Sequence, residues 1–457
     1  MYPKNNDGSS SASEGVNPSP SFPAVETNIL GYWAKDSTFQ ASIDARSDAE
    51  EFVFYDGPPF ANGLPHYGHL LTGYAKDMVP RFKTMQGYRV ERRFGWDTHG
   101  LPAEVEAERQ LGISGRPEIE KYGIDKFNAY CRTSVLKYTD QWREYVTRQA
   151  RWVDFDNDYK TLDTPYTESV LWAFKQLHNK GLIYEGFKVL AYCWRCETPL
   201  SNHELRMDDE VYRNRQDQTV TVNFPILDGQ GFDGVKLLAW TTTPWTLPSN
   251  TALAVGPKIE YVLVKTFNQY THEAIQVILA KPLLAKQFAG KFEENESLEY
   301  KEGDKKIPFK VVKSFVGADL VGIQYEQLLP YALPFENADK AFRVIPGDFV
   351  TTEDGTGIVH IAPTFGADDA KVAKDAGVPG MLVLNAEGNP VPVVDLQGKF
   401  VAQMGELAGK FVKNEYYPAV DGQVLAPEKS VDVEISIKLK TENKAFKVEK
   451  YEHSYPH

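Results

Sequence analysis

Two histidines three residues apart, His66 and His69, stand in "DGPPFANGLPHYGHLLTGY" (56–74), after the apolar run "FVFY" and at the start of a helical pattern. Imidazoles at that spacing share one helix face. A helix start offers unpaired N–H groups and a positive dipole end, so it suits a phosphate. There both rings could donate to phosphoryl oxygens as charge builds in a transition state. Gly68 between them has no side chain and would let a flat base approach the backbone. Pro58 and Pro59 stiffen the approach. A second group lies in "AWTTTPWTLPSNTALAV" (239–255), where Thr241, Thr242 and Thr243 end a strand-like run that meets Pro244. About a hundred residues on, "GTGIVHIAPTFGADDA" (355–370) offers His360 and then Asp369, just past Gly366. "YCWRCETPL" (192–200) holds Cys193 and Cys196 at metal-knuckle spacing. Each has a plainer reading: a helix cap beside a surface imidazole, β-propensity for the threonines, a core histidine, an acidic helix start, two packed thiols.

The elements around these residues decide their standing. Residues 22–50 read as amphipathic helix, and "EFVFY" (51–55) as a short buried strand. From His69 onward Leu70, Leu71, Tyr74, Met78, Phe82 and Met85 recur at near-helical spacing, and Gly87 suits the residue just past a helix end. "YRVERRFGWD" (88–97) reads as a second strand. Strand, loop, helix and strand within so short a stretch make one βαβ unit, whose right-handed crossover gives parallel strands. Ligands of such sheets bind beyond the carboxyl ends of strands, where the 56–69 loop falls. Residues 102–186 read mostly as helix. From about 188 short strands dominate: "VYRNRQDQTVTVNFPI", "VKLLAWTTTP", "TALAVG", "EYVLVKTF" and "GTGIVHIAP". The expected fold is α/β, a Rossmann-type parallel sheet with helices that carries an inserted β-rich domain. The expected divisions are a disordered polar leader (1–21), the first half of the α/β domain (22–187), the insertion (188–435) and a return strand (436–457). No GxGxxG or Walker loop is present, which disfavours a dinucleotide enzyme or a P-loop kinase.

Composition bounds the function. The chain has 457 residues, 42% of them apolar, and a formal net charge of −13, which argues against non-specific nucleic-acid binding while leaving room for a local basic groove such as "KTMQGYRVERR". No run of eighteen apolar residues implies a membrane span, and the first residues have no secretory h-region. Three cysteines in so long a chain fit a reducing compartment, so the expected address is the cytosol.

"HYGH" after "DGPPFANGLP" resembles the HIGH signature of class I aminoacyl-tRNA synthetases, and "GWDTHGLPAE" (95–104) resembles their isoleucine-specific branch. The resemblance covers nearly all of residues 22–457. It implies formation of isoleucyl-adenylate from isoleucine and ATP with Mg2+, then charging of the isoleucine tRNA, by a monomer. By the same resemblance His66 and His69 would bind the ATP phosphates, and Gly68 would sit under adenine. Asp97 would face the amino acid's ammonium, with Pro58 lining the isoleucine pocket. The later stretches, with "GADLVGIQYEQLLPY" (317–331), resemble the editing domain of the isoleucyl, valyl and leucyl enzymes. That resemblance implies hydrolysis of valyl-tRNA. Thr241, Thr242 and Thr243 would surround the ribose and ester, Asn250 and His360 would orient the substrate, and Asp369 would hold the free ammonium. No Ser–His–Asp or Cys–His order accompanies them, so the implied nucleophile is a bound water aided by the tRNA's own hydroxyl. Cys193 and Cys196 would be half of a Zn2+ site whose second cysteine pair lies elsewhere in some relatives. Two alternatives stay open: a stand-alone aminoacyl-tRNA deacylase, and a small-molecule adenylyl transferase of the same fold. No KMSKS-like loop or anticodon-binding helical domain is visible, so the chain is expected to be an N-terminal portion. ATP–pyrophosphate exchange by these 457 residues is therefore expected to fall far short of a full rate; full exchange would contradict that expectation.

Overall fold

Prolines and glycines punctuate the first part of the chain. Pro23, Pro102, Pro117 and Pro165 each occupy a first helical turn, where a missing N–H costs nothing. Gly87 and Gly112 take positive φ just past helix ends. The computed structural model describes residues 21–207, 211–420 and 423–456, and it divides into two units, Met1–Glu185 and Gly186–His457. The leader expected over 1–21 lies, apart from Ser21, outside the described residues.

The first unit contains helices α1 (Phe22–Asp36), α2 (Thr38–Asp44), α3 (Tyr67–Met85) and α4 (Leu101–Leu111). After them come α5 (Arg116–Tyr122), α6 (Ile124–Ser134), α7 (Thr139–Arg148) and α8 (Thr164–Asn179). Strands β1 (Arg93–Trp96) and β2 (Asp154–Lys160) pair in parallel. Parallel bridges Glu51↔Arg89 and Phe60↔Asp97 lay residues 51–60 alongside β1. The α/β character and parallel pairing are those expected from the sequence, with three corrections. "EFVFY" is no buried strand: it bridges at Glu51 only, and Val53 and Tyr55 are exposed. β2 falls within the stretch read as mostly helical; Asp154, Asp156 and Asp158 have poor strand propensity and obscured it. The apolar stripe of α3 has the expected period, yet Leu71, Tyr74, Met78, Phe82 and Met85 are exposed, and Gly73, Pro80 and Thr84 are the buried positions. The core of this unit gathers Ala61 from the loop, Phe94 and Trp96 from β1, and Trp142 and Val146 from α7.

The second unit is built on a ten-stranded sheet. Its strands are β3 (Tyr212–Pro225), β4 (Val235–Thr241), β5 (Ala252–Val255), β6 (Glu260–Phe267) and β7 (Ala274–Ala280). The remainder are β8 (Phe292–Glu294), β9 (Ile307–Val316), β10 (Arg343–Pro346), β11 (Ile358–Ile361) and β12 (Ala445–Pro456). The order is β8-β9-β6-β7-β4-β11-β5-β10, with β3 also on β4 and β12 on β3. β4 pairs in parallel with β7 over Val235–Leu237 and then with β11 at Trp240↔Val359. Two parallel strands thus end side by side, one at Thr241 and the other at Ile361. A 3-10 turn (Pro244–Ser249) leaves β4, and helix α9 (Ala367–Asp375) follows β11. Helix α10 (Val431–Thr441) precedes β12. The return strand expected from 436 is therefore helix as far as Thr441, and the strand begins at Ala445, antiparallel to β3.

Candidate functional site

The two histidines sit where the sequence places them, and the structure adds how they are held. His66 is the N-cap of α3; its Nδ1 accepts the Gly68 N–H at 3.1 Å, while its own N–H donates to His69 Nδ1 at 3.1 Å. This reciprocal arrangement satisfies helix-start donors in the manner of a capping box. The rings lie 3.8 Å apart, and His69 meets Trp142 edge-on at 4.7 Å. His66 is exposed and His69 half-buried. Burial, and then the neighbouring His66 and Lys76, hold the His69 pKa below its ordinary value. With both Nδ1 atoms occupied as acceptors, each neutral ring carries its proton on Nε2 and can donate it outward. Gly68 is required by this packing, because a Cβ there would lie 2.9 Å from His66 Cε1.

The loop before them is pinned rather than loose. The buried Asp56 carboxylate takes Lys76 Nζ at 2.6 Å and Arg151 at 2.5 Å, and its carbonyl accepts the Tyr159 hydroxyl at 2.8 Å. Tyr159 can lie across β1 because residue 95 is glycine; a Cβ there would fall 2.2 Å from the ring. Trp142 Nε1 holds the Gly63 carbonyl at 2.9 Å. The Asp97 N–H donates to the Pro59 carbonyl at 2.9 Å, which brings Pro58 and Asp97 into one neighbourhood. Among the described residues the Asp97 carboxylate has no ion pair. Sequence reasoning missed Asp56, Lys76 and Arg151, because nothing local links position 56 to position 151.

The second unit holds a cleft of about 440 Å³ at the carboxyl ends of β4 and β11. Thr241, Thr242, Thr243, His360 and Asp369 all line it. Asn250 does not line it. It is buried behind His360, where its Oδ1 accepts the Tyr325 hydroxyl at 2.7 Å and its Nδ2 donates to the Ala252 carbonyl and to His360 Nδ1, each at 2.8 Å. His360 Nε2 lies 3.1 Å from Thr246 Oγ1, which donates to the Thr243 carbonyl at 2.9 Å. The imidazole is therefore neutral and Nε2-protonated, and burial pushes its pKa down to about 4. Its one basic lone pair, on Nδ1, is engaged by the Asn250 amide, so at neutral pH the ring orients rather than serves as a general base. Asp369, in the first turn of α9, accepts the Ala362 N–H at 2.9 Å, and burial raises its pKa. Thr246 was missed, although it follows Thr243 at i+3, as were the wall residues Thr351, Asp354 and Thr356.

Cys193 and Cys196 lie on a short hairpin in which the Cys196 N–H points at Cys193 Sγ, 3.4 Å away. Burial, then Cys193, raises the Cys196 pKa. Among the described residues no third metal-ligating side chain joins them. The pair does not by itself fit a four-ligand Zn2+ site.

The first unit is thus α/β with an imidazole-capped helix behind a pinned loop, and the second is β-rich and bears a threonine-walled cleft. The chain belongs to the class I tRNA synthetases (I, L, M and V), whose family model matches residues 28–353. It is 52% identical over 443 residues to the isoleucine–tRNA ligase of Mycobacterium tuberculosis (strain CDC 1551 / Oshkosh), covering 96% of this chain and 38% of that protein. It is 49% identical over 463 residues to that of Leifsonia xyli subsp. xyli, covering 99% and 39%. The chain thus spans about two fifths of the length of these curated relatives. Solved structures similar to it include GlLeuRS-CP1 (TM-score 0.32, 15% identity, 50% of this chain and 99% of that one). Another is the LeuRS–tRNA–LeuAMS complex of Agrobacterium radiobacter K84 (TM-score 0.30, 16% identity, 94% and 48%). Among the described residues no helix is long and apolar enough to cross a membrane.

The buried imidazole yields a pH signature. Below about pH 6.5 the unfolded chain takes up a proton at His360 that the folded chain refuses until about pH 4. Its contribution is therefore fully present above pH 6.5 and lost as pH falls through that window, by about 3 kcal/mol. Urea unfolding of the native chain and of His360→Gln should show the native chain losing that much relative to the variant between pH 7 and pH 4. Parallel pH curves would contradict the buried neutral ring.

Proposed function

We propose that this chain is the part of an isoleucine–tRNA ligase that holds the first half of the activation site and the whole of a hydrolytic editing site, acting in the cytosol. The observation that carries the reading is the cleft of the second unit, where three consecutive threonines, a neutral histidine and one half-buried carboxylate converge. In the first unit, His66 and His69 donate Nε2–H to the phosphates of ATP, Gly68 leaves room under adenine, and the Asp97 carboxylate pairs with the ammonium of isoleucine beside Pro58. Mg2+ enters with the ATP phosphates; no cluster of three ligating side chains is present among the described residues to hold it independently.

Binding energetics explain why such an enzyme needs the cleft. One missing methylene is worth only about 1–3 kcal/mol in an apolar pocket, a limit for which these synthetases are themselves the standard example. Valine is therefore activated by mistake and must be removed. In the cleft, Asp369 holds the free α-ammonium of valine and the threonine hydroxyls surround the terminal ribose and ester. The basic lone pair of His360 is occupied by Asn250, which supports a water nucleophile assisted by a hydroxyl of the tRNA rather than by a protein base. Asn250 acts at one remove, by fixing the His360 ring.

The test is hydrolysis of preformed valyl-tRNA by the 457-residue chain. The native chain should release valine and spare isoleucyl-tRNA. Asp369→Ala, which loses a charge-assisted contact, should slow release by about 10- to 100-fold. No hydrolysis by the native chain would overturn the reading, and undiminished hydrolysis by the variant would remove Asp369 from the site.

A further inference from the structure

The turn that carries the cleft's threonines is fastened by a group far away in sequence. Thr243 is the N-cap of the 3-10 turn Pro244–Ser249, and its side chain makes no capping bond. Pro244 has no N–H, so the Trp245 N–H is the first donor of the turn and would be an orphan. It donates instead to Asp432 Oδ1 at 2.9 Å, 187 residues later, at the start of α10. The Asp432 side chain is only 5% exposed. Its other oxygen meets the equally buried Lys413 Nζ at 2.8 Å, Lys413 lies 3.7 Å from Asp217 on β3, and Asp217 takes His453 Nε2 on β12 at 2.9 Å. The Trp245 ring packs edge-on at 4.9 Å against Phe365, itself a wall of the cleft. One carboxylate thus ties the turn bearing Thr243 and Thr246 to the β3–β12 ribbon.

We propose that Asp432 is a positioning residue of the hydrolytic cleft: by capping the Trp245 N–H it sets the turn that aligns Thr243 and Thr246 with His360. This rests on the editing reading given above. Asp432 does not touch the cleft and takes no part in bond making. Its contribution is the acceptor atom, and Lys413 balances the buried charge that the acceptor brings. Removing the carboxylate alone would strand that lysine, so the informative variants change both groups.

Two double variants separate positioning from bulk stability. Asp432→Asn with Lys413→Met keeps an oxygen acceptor for Trp245 and removes the ion pair. Asp432→Leu with Lys413→Met keeps the volume and removes the acceptor. Valyl-tRNA hydrolysis should stay near the native rate in the first. In the second kcat should fall by about 100-fold with KM little changed, the scale expected of a misplacement near 1 Å. Equal hydrolysis by both folded variants would overturn the proposal. If the leucine variant does not fold, amide hydrogen exchange at Trp245 decides. Protection in the asparagine variant comparable with the native chain supports the cap, and exchange as fast as in an open loop overturns it. Should the native chain not hydrolyse valyl-tRNA at all, the editing reading fails, and the same exchange measurement still decides whether Asp432 holds the turn.

Discussion

A protein donor already occupies Nδ1 of every histidine that the two sites use. The Gly68 N–H takes His66, the His66 N–H takes His69, and the Asn250 amide takes His360. An imidazole held in that way is a neutral ring with its proton on Nε2, able to give a hydrogen bond and unable to accept a proton there. Much of the chemistry proposed for this chain follows. At the start of α3 the two Nε2–H groups are suited to developing phosphate charge. In the cleft the third is spent on Thr246, so hydrolysis there needs a base from elsewhere.

Each lock rests on buried polar groups held by ion pairs or hydrogen bonds. An unpaired polar group in the interior costs about 1–3 kcal/mol, and an unpaired charge more, so these supports hold only as complete sets. In the first unit Asp56 binds Lys76 of α3 and Arg151 beyond α7 with one carboxylate, which fixes the loop in front of His66. In the second, the Tyr325 hydroxyl orients the Asn250 amide, and the amide orients His360. The parallel pairing of β4 with β11 supplies the rest, because it ends two strands together and leaves Thr241 and His360 on one rim. Both candidate sites therefore lie at the carboxyl ends of parallel strands, where sheet geometry favours a ligand.

What was legible in the sequence was local. The start of α3, its glycine stop, six of the strands and the threonine, histidine and aspartate of the cleft could all be read from short stretches. Propensity misled where it conflicted with context. The aromatic and β-branched "FVFY" lies largely exposed, while the aspartate-rich "DFDNDYK" is a strand because it can pair with Arg93–Trp96. The supports were invisible because they span the chain. Asp56 and Arg151 are 95 positions apart, Asn250 and His360 are 110 apart, and Trp245 and Asp432 are 187 apart. Asn250 could thus be assigned to the cleft but not to its place behind His360.

The most direct test of this account is the protonation state of the three rings. Two-bond 1H–15N correlation spectra of the 15N-histidine-labelled chain at neutral pH distinguish a protonated Nε2 from a protonated Nδ1 and from a charged ring. The account predicts Nε2 as the protonated nitrogen of the neutral ring at His66, His69 and His360, with His360 unchanged down to about pH 5 because its pKa lies near 4. A protonated Nδ1 at His360, or a His360 ring that titrates near the ordinary value of 6.5, would contradict it.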